Sequence, residues 1–261
     1  MRDDAWAAVN SVPVLGAREV HVWRDRFADS PPWVRLDLLT PKERDQAARM
    51  GSVRRRAEFV RGRACLRFLV EAYLGGPLAA HAIRVSPAGK PFVDVPGEAL
   101  QLGVSLAHSG NVLVVAVTRG AEVGVDIEVE DASVDYDSIA RRFFSSEESA
   151  ALAALAPDAR VRAFFATWVR KEATLKAMGT GFATPLADLQ FAIGSVDLPS
   201  LNRLPEGFGR LHDWTVHDLN VKPGMAGAIA VRAAHFELRC LRWTDATWAP
   251  EVRRGSEPRS G

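Results

Sequence analysis

The sequence has few cysteines, no long hydrophobic run and almost no net charge. Its two cysteines, Cys65 and Cys240, are too few for a disulfide framework, and neither has a cysteine or histidine at metal-binding spacing. The longest plainly apolar run, residues 112–117, is far shorter than a membrane span requires. A net charge of +1 lacks the basic excess on which non-specific nucleic-acid binding depends. These absences argue against a disulfide-rich secreted protein, a membrane-spanning protein and a nucleic-acid binder.

The first residues of the chain also lack the pattern of a secretory signal peptide. Met1 and the Arg-Asp-Asp that follows provide neither a basic start nor an apolar segment. With 48% hydrophobic and 25% charged residues, the 261-residue chain has the composition of an ordinary globular protein with one large or two moderate domains. We therefore expect a cytoplasmic monomer with a polar, disordered tail over residues 251–261.

Residues 123–130 alternate without interruption between apolar and polar side chains. This alternation is typical of a half-buried strand, and it places Asp126 and Glu128 on one face. At about 3.3 Å per residue, the two acids would lie roughly 6.6 Å apart. Aspartate is poorly suited to strands and like charges repel, so the pair calls for a cation. The alternative interpretation is a solvated outer face that carries ordinary acidic side chains.

A second charged segment, Trp-Val-Arg-Lys-Glu-Ala-Thr-Leu-Lys at residues 168–176, has helical spacing. Glu172 lies one turn after Trp168 and is flanked by Lys171 and Lys176. Glu172 either forms an ordinary ion pair with Lys176, which contributes little, or adds a third carboxylate to the acidic strand. Three carboxylates suit Mg²⁺, which prefers oxygen ligands and completes its shell with water and substrate phosphates. The lysines would then neutralise those phosphates.

Taken together, the two segments resemble a family signature. The Gly-Val-Asp-Ile-Glu strand at residues 124–128, followed about forty residues later by Trp-x-x-Lys-Glu-Ala-x-x-Lys, resembles that of the Sfp-type 4′-phosphopantetheinyl transferases. The similarity covers roughly residues 38–195. Four further segments extend it, including a Gly-Lys-Pro and a Ser-Leu-Ala-His-Ser-Gly motif, at residues 55–63, 89–91, 105–110 and 179–182.

The resemblance implies an architecture and a reaction. The fold would be α/β, with two similar subdomains related by a pseudo-twofold axis and the active site in the cleft between them. We expect residues 1–120 to form the coenzyme A-binding subdomain and residues 121–250 the metal-binding, catalytic one. The enzyme would transfer the 4′-phosphopantetheine arm of coenzyme A to a serine of an acyl- or peptidyl-carrier protein and release 3′,5′-ADP.

The resemblance also implies roles for the acidic and basic residues of the two signature segments. Asp126, Glu128 and Glu172 would bind Mg²⁺. Glu172, directly or through a metal-bound water, would also take the proton of the attacking serine. Lys176, together with Lys171, would stabilise charge on the departing phosphate.

The arginine-rich segment is expected to bind coenzyme A. Residues 54–67 contain six arginines and one acid, a pattern that by itself also fits a solvated helix face. Guanidinium groups bind phosphate oxygens in bidentate fashion. The resemblance implies that this helix holds the 3′-phosphate of coenzyme A. We select Arg55 and Arg63, which lie two turns apart, with Arg56 as the substitute.

Two more residues are assigned to coenzyme A phosphates by the resemblance alone. Without it, Lys90 would be interpreted as an exposed turn lysine and His108 as a structural histidine. The chain departs from the family at Ala107, where a serine is common, and loses a hydrogen bond of about 1 kcal/mol there. Val169 replaces a small polar residue, and neither departure affects the three acids.

Local patterns predict the helices and strands that carry these motifs. Helices are expected near residues 40–51, 53–74, 145–157 and 158–179. Capping boxes at Thr40 and Ser145 open the first and third helices. Val53 and Ala57 are expected on the inward face of the second helix. Residues 131–137 are expected to form an acidic loop. Strands are expected at residues 83–85, 91–95, 102–107, 112–118, 122–129, 189–193, 214–216, 226–231 and 236–243.

Two other functional interpretations compete with the transferase. A non-catalytic module that binds carrier proteins could keep the same fold, but it would need a broken set of acids. A nucleic-acid binder could use the arginine-rich helix, although the near-zero net charge disfavours it. Within the transferase interpretation, fatty-acid, polyketide, non-ribosomal-peptide and siderophore carriers all remain open as substrates.

Overall fold

Two helices of 22 residues organise the fold, one in each half of the chain. The computed structural model describes residues 6–26, 36–76, 82–94, 101–181, 184–194 and 200–244. The first half contains β1 (Ala7–Val9), β2 (Glu19–Arg26), α1 (Pro41–Ala48), α2 (Val53–Leu74), β3 (Ile83–Val85), β4 (Pro91–Val93), β5 (Leu102–Ser109) and β6 (Val112–Arg119). The second half contains β7 (Val123–Val129), α3 (Tyr136–Phe143), α4 (Ser146–Ala153), α5 (Pro157–Met178), β8 (Gln190–Phe191), β9 (Leu201–Arg203), β10 (Thr215–Asp218), β11 (Met225–Val231) and β12 (Glu237–Trp243).

The two halves repeat the same order of elements. In each, a strand leads through short helical segments to a long helix, then to a two-stranded hairpin, and then to two antiparallel strands. The long helices α2 and α5 both end at a glycine in the left-handed region, Gly75 (φ 76°) and Gly179 (φ 74°). The expected mixed α/β fold with two similar halves is confirmed.

Sheet membership does not follow the expected boundary at residues 120 and 121. The larger sheet has the order β1-β12-β2-β6-β5, and the smaller one has the order β10-β11-β7. Strand β12, from the end of the described chain, pairs in parallel with both β1 and β2. The C-terminal strand therefore completes the sheet of the first half. The expected tail, residues 251–261, lies outside the described residues.

The core consists of three apolar layers, which separate four layers of helices and sheets. One layer packs α2 on the five-stranded sheet, and it includes Leu66, Leu69 and Val115. A second fills the space between the two sheets, and a third packs α5 on the three-stranded sheet. The order across the molecule is thus helix, sheet, sheet, helix. Within the described residues, no helix is both long and apolar enough to cross a membrane.

The start of α2 differs from the expected burial pattern. Its boundaries agree with the sequence, because Ser52 caps its first turn by accepting from Arg55 N. However, residues 53–57 are all exposed, with Val53 77% exposed, so the expectation that Val53 and Ala57 face inward is wrong. The first turns of α2 contribute nothing to the apolar layers, and burial begins only at Val60.

Candidate active site

Helix α5 lies directly on strand β7, and this contact shapes the site. A Cβ atom at Gly124 would lie 1.9 Å from the carbonyl oxygen of Ala173, so only glycine permits the approach. The polar face of β7 is therefore covered rather than solvated, and Asp126 is only 8% exposed. The expectation of a half-buried strand is wrong, because the helix buries the face that carries the acids. The alternative of an ordinary solvated acidic face is excluded for Asp126.

Lys176 supplies the positive charge next to Asp126. Its Nζ donates to Asp126 Oδ1 at 2.7 Å and to the backbone oxygen of Val125 at 3.2 Å. Burial raises the pKa of Asp126, while the charge and hydrogen bond of Lys176 lower it. The ion pair of Lys176 is thus made with the strand, not within its own helix.

Glu128 and Glu172 complete an acidic cluster around Asp126. Glu128 Oε2 accepts a hydrogen bond from Ser109 Oγ at 2.7 Å. Burial raises the pKa of Glu172, the charges of Asp126 and Glu128 raise it further, and Lys176 lowers it. Burial is also the main cause that raises the pKa of Glu128. The structure therefore brings Asp126, Glu128, Glu172 and Lys176 together from two distant segments.

One oxygen of this cluster is buried and has no hydrogen-bond partner, Glu172 Oε1. A buried unpaired carboxylate oxygen is costly, which suggests a partner supplied from outside the chain. Three carboxylates form the donor set that a hard divalent cation prefers, so the residues fit Mg²⁺ chemically. Across the described part of the chain, however, no group of three or more His, Cys, Asp and Glu side chains has an arrangement that would hold a metal ion. The acids interact electrostatically, while the ammonium of Lys176 already contacts Asp126.

Two of the residues expected to bind coenzyme A lie near this cluster or its helix. His108, exposed at the end of β5, is close enough for its charge to lower the pKa of Asp126. Lys90 Nζ donates to the backbone oxygen of Ala177 in the last turn of α5 at 2.9 Å. Burial lowers the pKa of Lys90, and the charge of Glu122 opposes that effect. Both residues come from the first half of the chain.

The structure does not bring the three selected arginines to the acidic cluster. Arg55 is exposed, and Arg56 donates to the backbone oxygen of Met50 at 2.8 Å. Arg63 lies beside α1, 3.8 Å from Glu43 Oε1. Although they lie two turns apart on α2, Arg55 and Arg63 have different surroundings. Their assignment to the 3′-phosphate stays a prediction.

A different arginine of α2 reaches the end of β5. Arg54 Nη2 donates to the backbone oxygen of Gly110 at 3.3 Å and also pairs with Glu58 at 2.8 Å. A Cβ atom at Gly62, two turns further on, would lie 3.0 Å from Leu106 Cδ1. A glycine inside a helix often marks a place where another element packs closely against the helix. Gly62 was therefore the residue in the sequence that could have indicated which face of α2 meets β5.

Lys171 lies apart from the cluster. It is fully buried, and its Nζ donates to Glu148 Oε2 at 2.7 Å and to the backbone oxygen of Leu186 at 2.8 Å. A further bond goes to the backbone oxygen of Leu189. Burial lowers the pKa of Lys171, and Glu148 raises it. The expectation that Lys171 stabilises charge on the departing phosphate is corrected: its buried ammonium instead joins α4 and α5 inside the second half.

An open groove of about 510 Å³ lies at the other end of β7. Lys90, Asp94 and Glu122 are its charged lining residues, and Val123, three residues before Asp126, also lines it. At about 3.3 Å per residue, Val123 and Asp126 are separated by roughly 10 Å along β7. Its other lining residues come from β4, from the start of β5 and from the β6–β7 turn.

Comparison with known proteins identifies the family. The sequence model of the 4′-phosphopantetheinyl transferase superfamily matches residues 122–230, which include β7 and α5. The 4′-phosphopantetheinyl transferase HetI of a Nostoc species is 30% identical over 216 residues, which cover 82% of this chain and 87% of HetI. The chain belongs to the 4′-phosphopantetheinyl transferase superfamily.

Two further proteins show shorter similarity. The 4′-phosphopantetheinyl transferase gsp of Aneurinibacillus migulanus is 31% identical over 152 residues, or 58% of this chain and 61% of gsp. The holo-[acyl-carrier-protein] synthase of Thermotoga maritima, a solved structure, has a TM-score of 0.36 and 25% identity over 43% of this chain and 62% of that one. The acids that the resemblance selected lie in the segment shared with the superfamily.

Proposed function

We propose that this protein transfers the 4′-phosphopantetheine arm of coenzyme A to a serine of an acyl- or peptidyl-carrier protein and releases 3′,5′-ADP. The observation that carries the proposal is the convergence of Glu172, with its unpaired buried oxygen, on Asp126 and Glu128. The membership of the superfamily supports the same reaction. The non-catalytic alternative finds no support, because all three acids and Lys176 are present.

Asp126, Glu128 and Glu172 would hold the Mg²⁺ ion. When bound, such an ion polarises the attacked phosphorus and orients the displacement. The unpaired oxygen of Glu172 and the carboxylate donor set support this assignment. In the protein by itself, Lys176 partly compensates the charge of the acids.

The remaining chemistry belongs to side chains of this chain. Glu172 takes the proton of the carrier serine, since burial and neighbouring acids raise its pKa and so make it a better base. The serine oxygen then bonds to the phosphorus that carries the pantetheine arm, and the bond from that phosphorus to the oxygen of 3′,5′-ADP breaks. Lys176 stabilises the negative charge that develops on the departing phosphate.

Coenzyme A would be held mainly by the first half. His108 and Lys90, near the cluster and its helix, are proposed for the phosphates, and Arg55, Arg63 and Arg56 for the 3′-phosphate. The groove beside Lys90 offers space for a further part of the ligand. Because both substrates of this reaction are intracellular compounds, we propose a cytoplasmic enzyme. That it acts as a monomer stays a prediction.

Mass spectrometry of candidate apo-carriers tests the proposal. Fatty-acid, polyketide, non-ribosomal-peptide and siderophore carriers are each incubated with the full chain, coenzyme A and Mg²⁺. At least one carrier should gain the mass of the phosphopantetheine arm on its serine, and the gain should disappear when a chelator removes the metal. A serine-to-alanine carrier serves as the control. If no carrier of any class gains the arm, the proposed function is wrong.

A further inference from the structure

Two serine hydroxyls on β5 hold the edge of β7, although the strands belong to different sheets. Ser105 Oγ accepts from the backbone N–H of Val125 at 3.1 Å, and Ser109 Oγ accepts from that of Val129 at 3.1 Å. The two contacts are four residues apart on each strand, so β5 and β7 keep one register between them. The hydroxyls satisfy amides that have no ladder partner on this side.

Only one of the two hydroxyls continues to a carboxylate of the acidic cluster. Ser109 Oγ donates to Glu128 Oε2 at 2.7 Å while it accepts from the next residue, Val129. A hydroxyl has one hydrogen, so these two bonds together fix its direction. Ser105 is 2% exposed and, within the described residues, makes the amide contact without a carboxylate. The two serines thus form a natural pair, alike in one contact and different in the other.

We propose that Ser109 is a positioning residue of the transfer reaction, which acts by orienting the carboxylate of Glu128. The inference rests on the proposed function, in which Glu128 holds the cation. Groups that hydrogen-bond to metal ligands fix the orientation of those ligands, and their loss weakens the site. Because β5 also carries His108, next to Ser109, the same strand would set the position of a metal ligand and of a proposed phosphate contact.

Binding of Mn²⁺ alone to the full chain tests the proposal without relying on turnover. Ser109→Ala should weaken Mn²⁺ binding by about tenfold, the lower range for lost partners of metal ligands, whereas Ser105→Ala should change it by less than about twofold. Ser109→Thr keeps the hydroxyl and should bind Mn²⁺ as the original chain does. Urea unfolding of all variants separates a loss of folding from a loss of positioning.

The outcomes separate this inference from the proposed function. Equal Mn²⁺ affinity of Ser109→Ala and Ser105→Ala, or failure of Ser109→Thr to restore binding, would overturn the role of Ser109. If the unmodified chain binds no Mn²⁺, the metal assignment itself is wrong. The kinetics then decide the inference: Ser109→Ala should lower kcat with little change in the KM for coenzyme A, and an effect on KM alone would contradict it.

Discussion

Two lysines of α5, Lys171 and Lys176, flank Glu172 in the sequence but have different roles. Positions four residues apart share a helix face, whereas adjacent positions do not. Lys176 therefore shares the face of Glu172 and meets Asp126, while Lys171 faces the buried carboxylate of Glu148. The spacing contained enough information to separate the two lysines. Burial of Lys171 depended on which segments fold over it, and the spacing could not show that.

Loss of Lys171 should damage stability rather than chemistry. In Lys171→Ala the carboxylate of Glu148 stays buried without its partner, which should lower the free energy of unfolding by about 3–5 kcal/mol. Urea unfolding measures the loss, and kcat per folded molecule should stay close to that of the original chain. A normal unfolding curve with a strongly reduced kcat would return Lys171 to the catalytic group.

The 3′-phosphate assignment is tested best at Arg55, because Arg63 also neighbours Glu43. A charge-assisted hydrogen bond contributes about 1.5–3 kcal/mol, so Arg55→Ala should raise the KM for coenzyme A by roughly tenfold or more. Dephospho-coenzyme A lacks the 3′-phosphate, so the substitution should leave the KM for this compound unchanged. Steady-state kinetics with both compounds make the comparison. Equal effects on the two would remove Arg55 from this contact.

Element boundaries followed closely from local signals, but contacts between elements did not. The bounds of α2 agree with expectation because the residues that set them, the capping Ser52 and the terminal Gly75, are recognisable helix-end signals in the sequence. Helix α3 begins inside the expected acidic loop, where Asp135 accepts from Ser138 N, and the polarity of that loop concealed it. For β7, alternation of side chains says nothing about what packs on the polar face. Gly124 was the one local sign of a close helix.

The contact between α5 and β7 should be intolerant of any side chain at position 124. A Cβ atom in Gly124→Ala would meet the backbone of α5, so the helix must move, which should cost about 1–3 kcal/mol or more. Activity should fall as well, because α5 carries Glu172 and Lys176. Gly51→Ala, where no atom lies within 4 Å of the added methyl group, should stay within about 0.5 kcal/mol. Similar unfolding energies for both variants would contradict this packing.

At the scale of the molecule, β12 comes from the second half of the chain but belongs to the five-stranded sheet of the first half. The sequence predicted this strand but not its partners, since periodicity identifies strands without pairing them. Its position between β1 and β2 could be found only from the fold. The expected division into residues 1–120 and 121–250 therefore follows the proposed functions of the two halves, but it does not follow the two sheets, because β12 crosses it.

A fragment of residues 1–120 should consequently fail to fold alone. Without β12, strands β1 and β2 lose the strand that lies between them, and the layer under α2 loses Leu241 and Trp243. Urea unfolding is followed by tryptophan fluorescence. We expect a cooperative transition for the full chain and none for the fragment. A fragment that unfolds cooperatively would show that the first half is an independent domain.

The central claim is that three acids from distant segments act on one transferred phosphoryl group. The most direct test is the initial rate at which Glu172→Ala labels an apo-carrier that the original chain modifies, with Glu206→Ala, an exposed acid, as control. Loss of a general base and metal ligand should lower the rate by at least about 100-fold, while the control stays near the original rate. Retention of most of the activity by a folded Glu172→Ala variant would contradict the account.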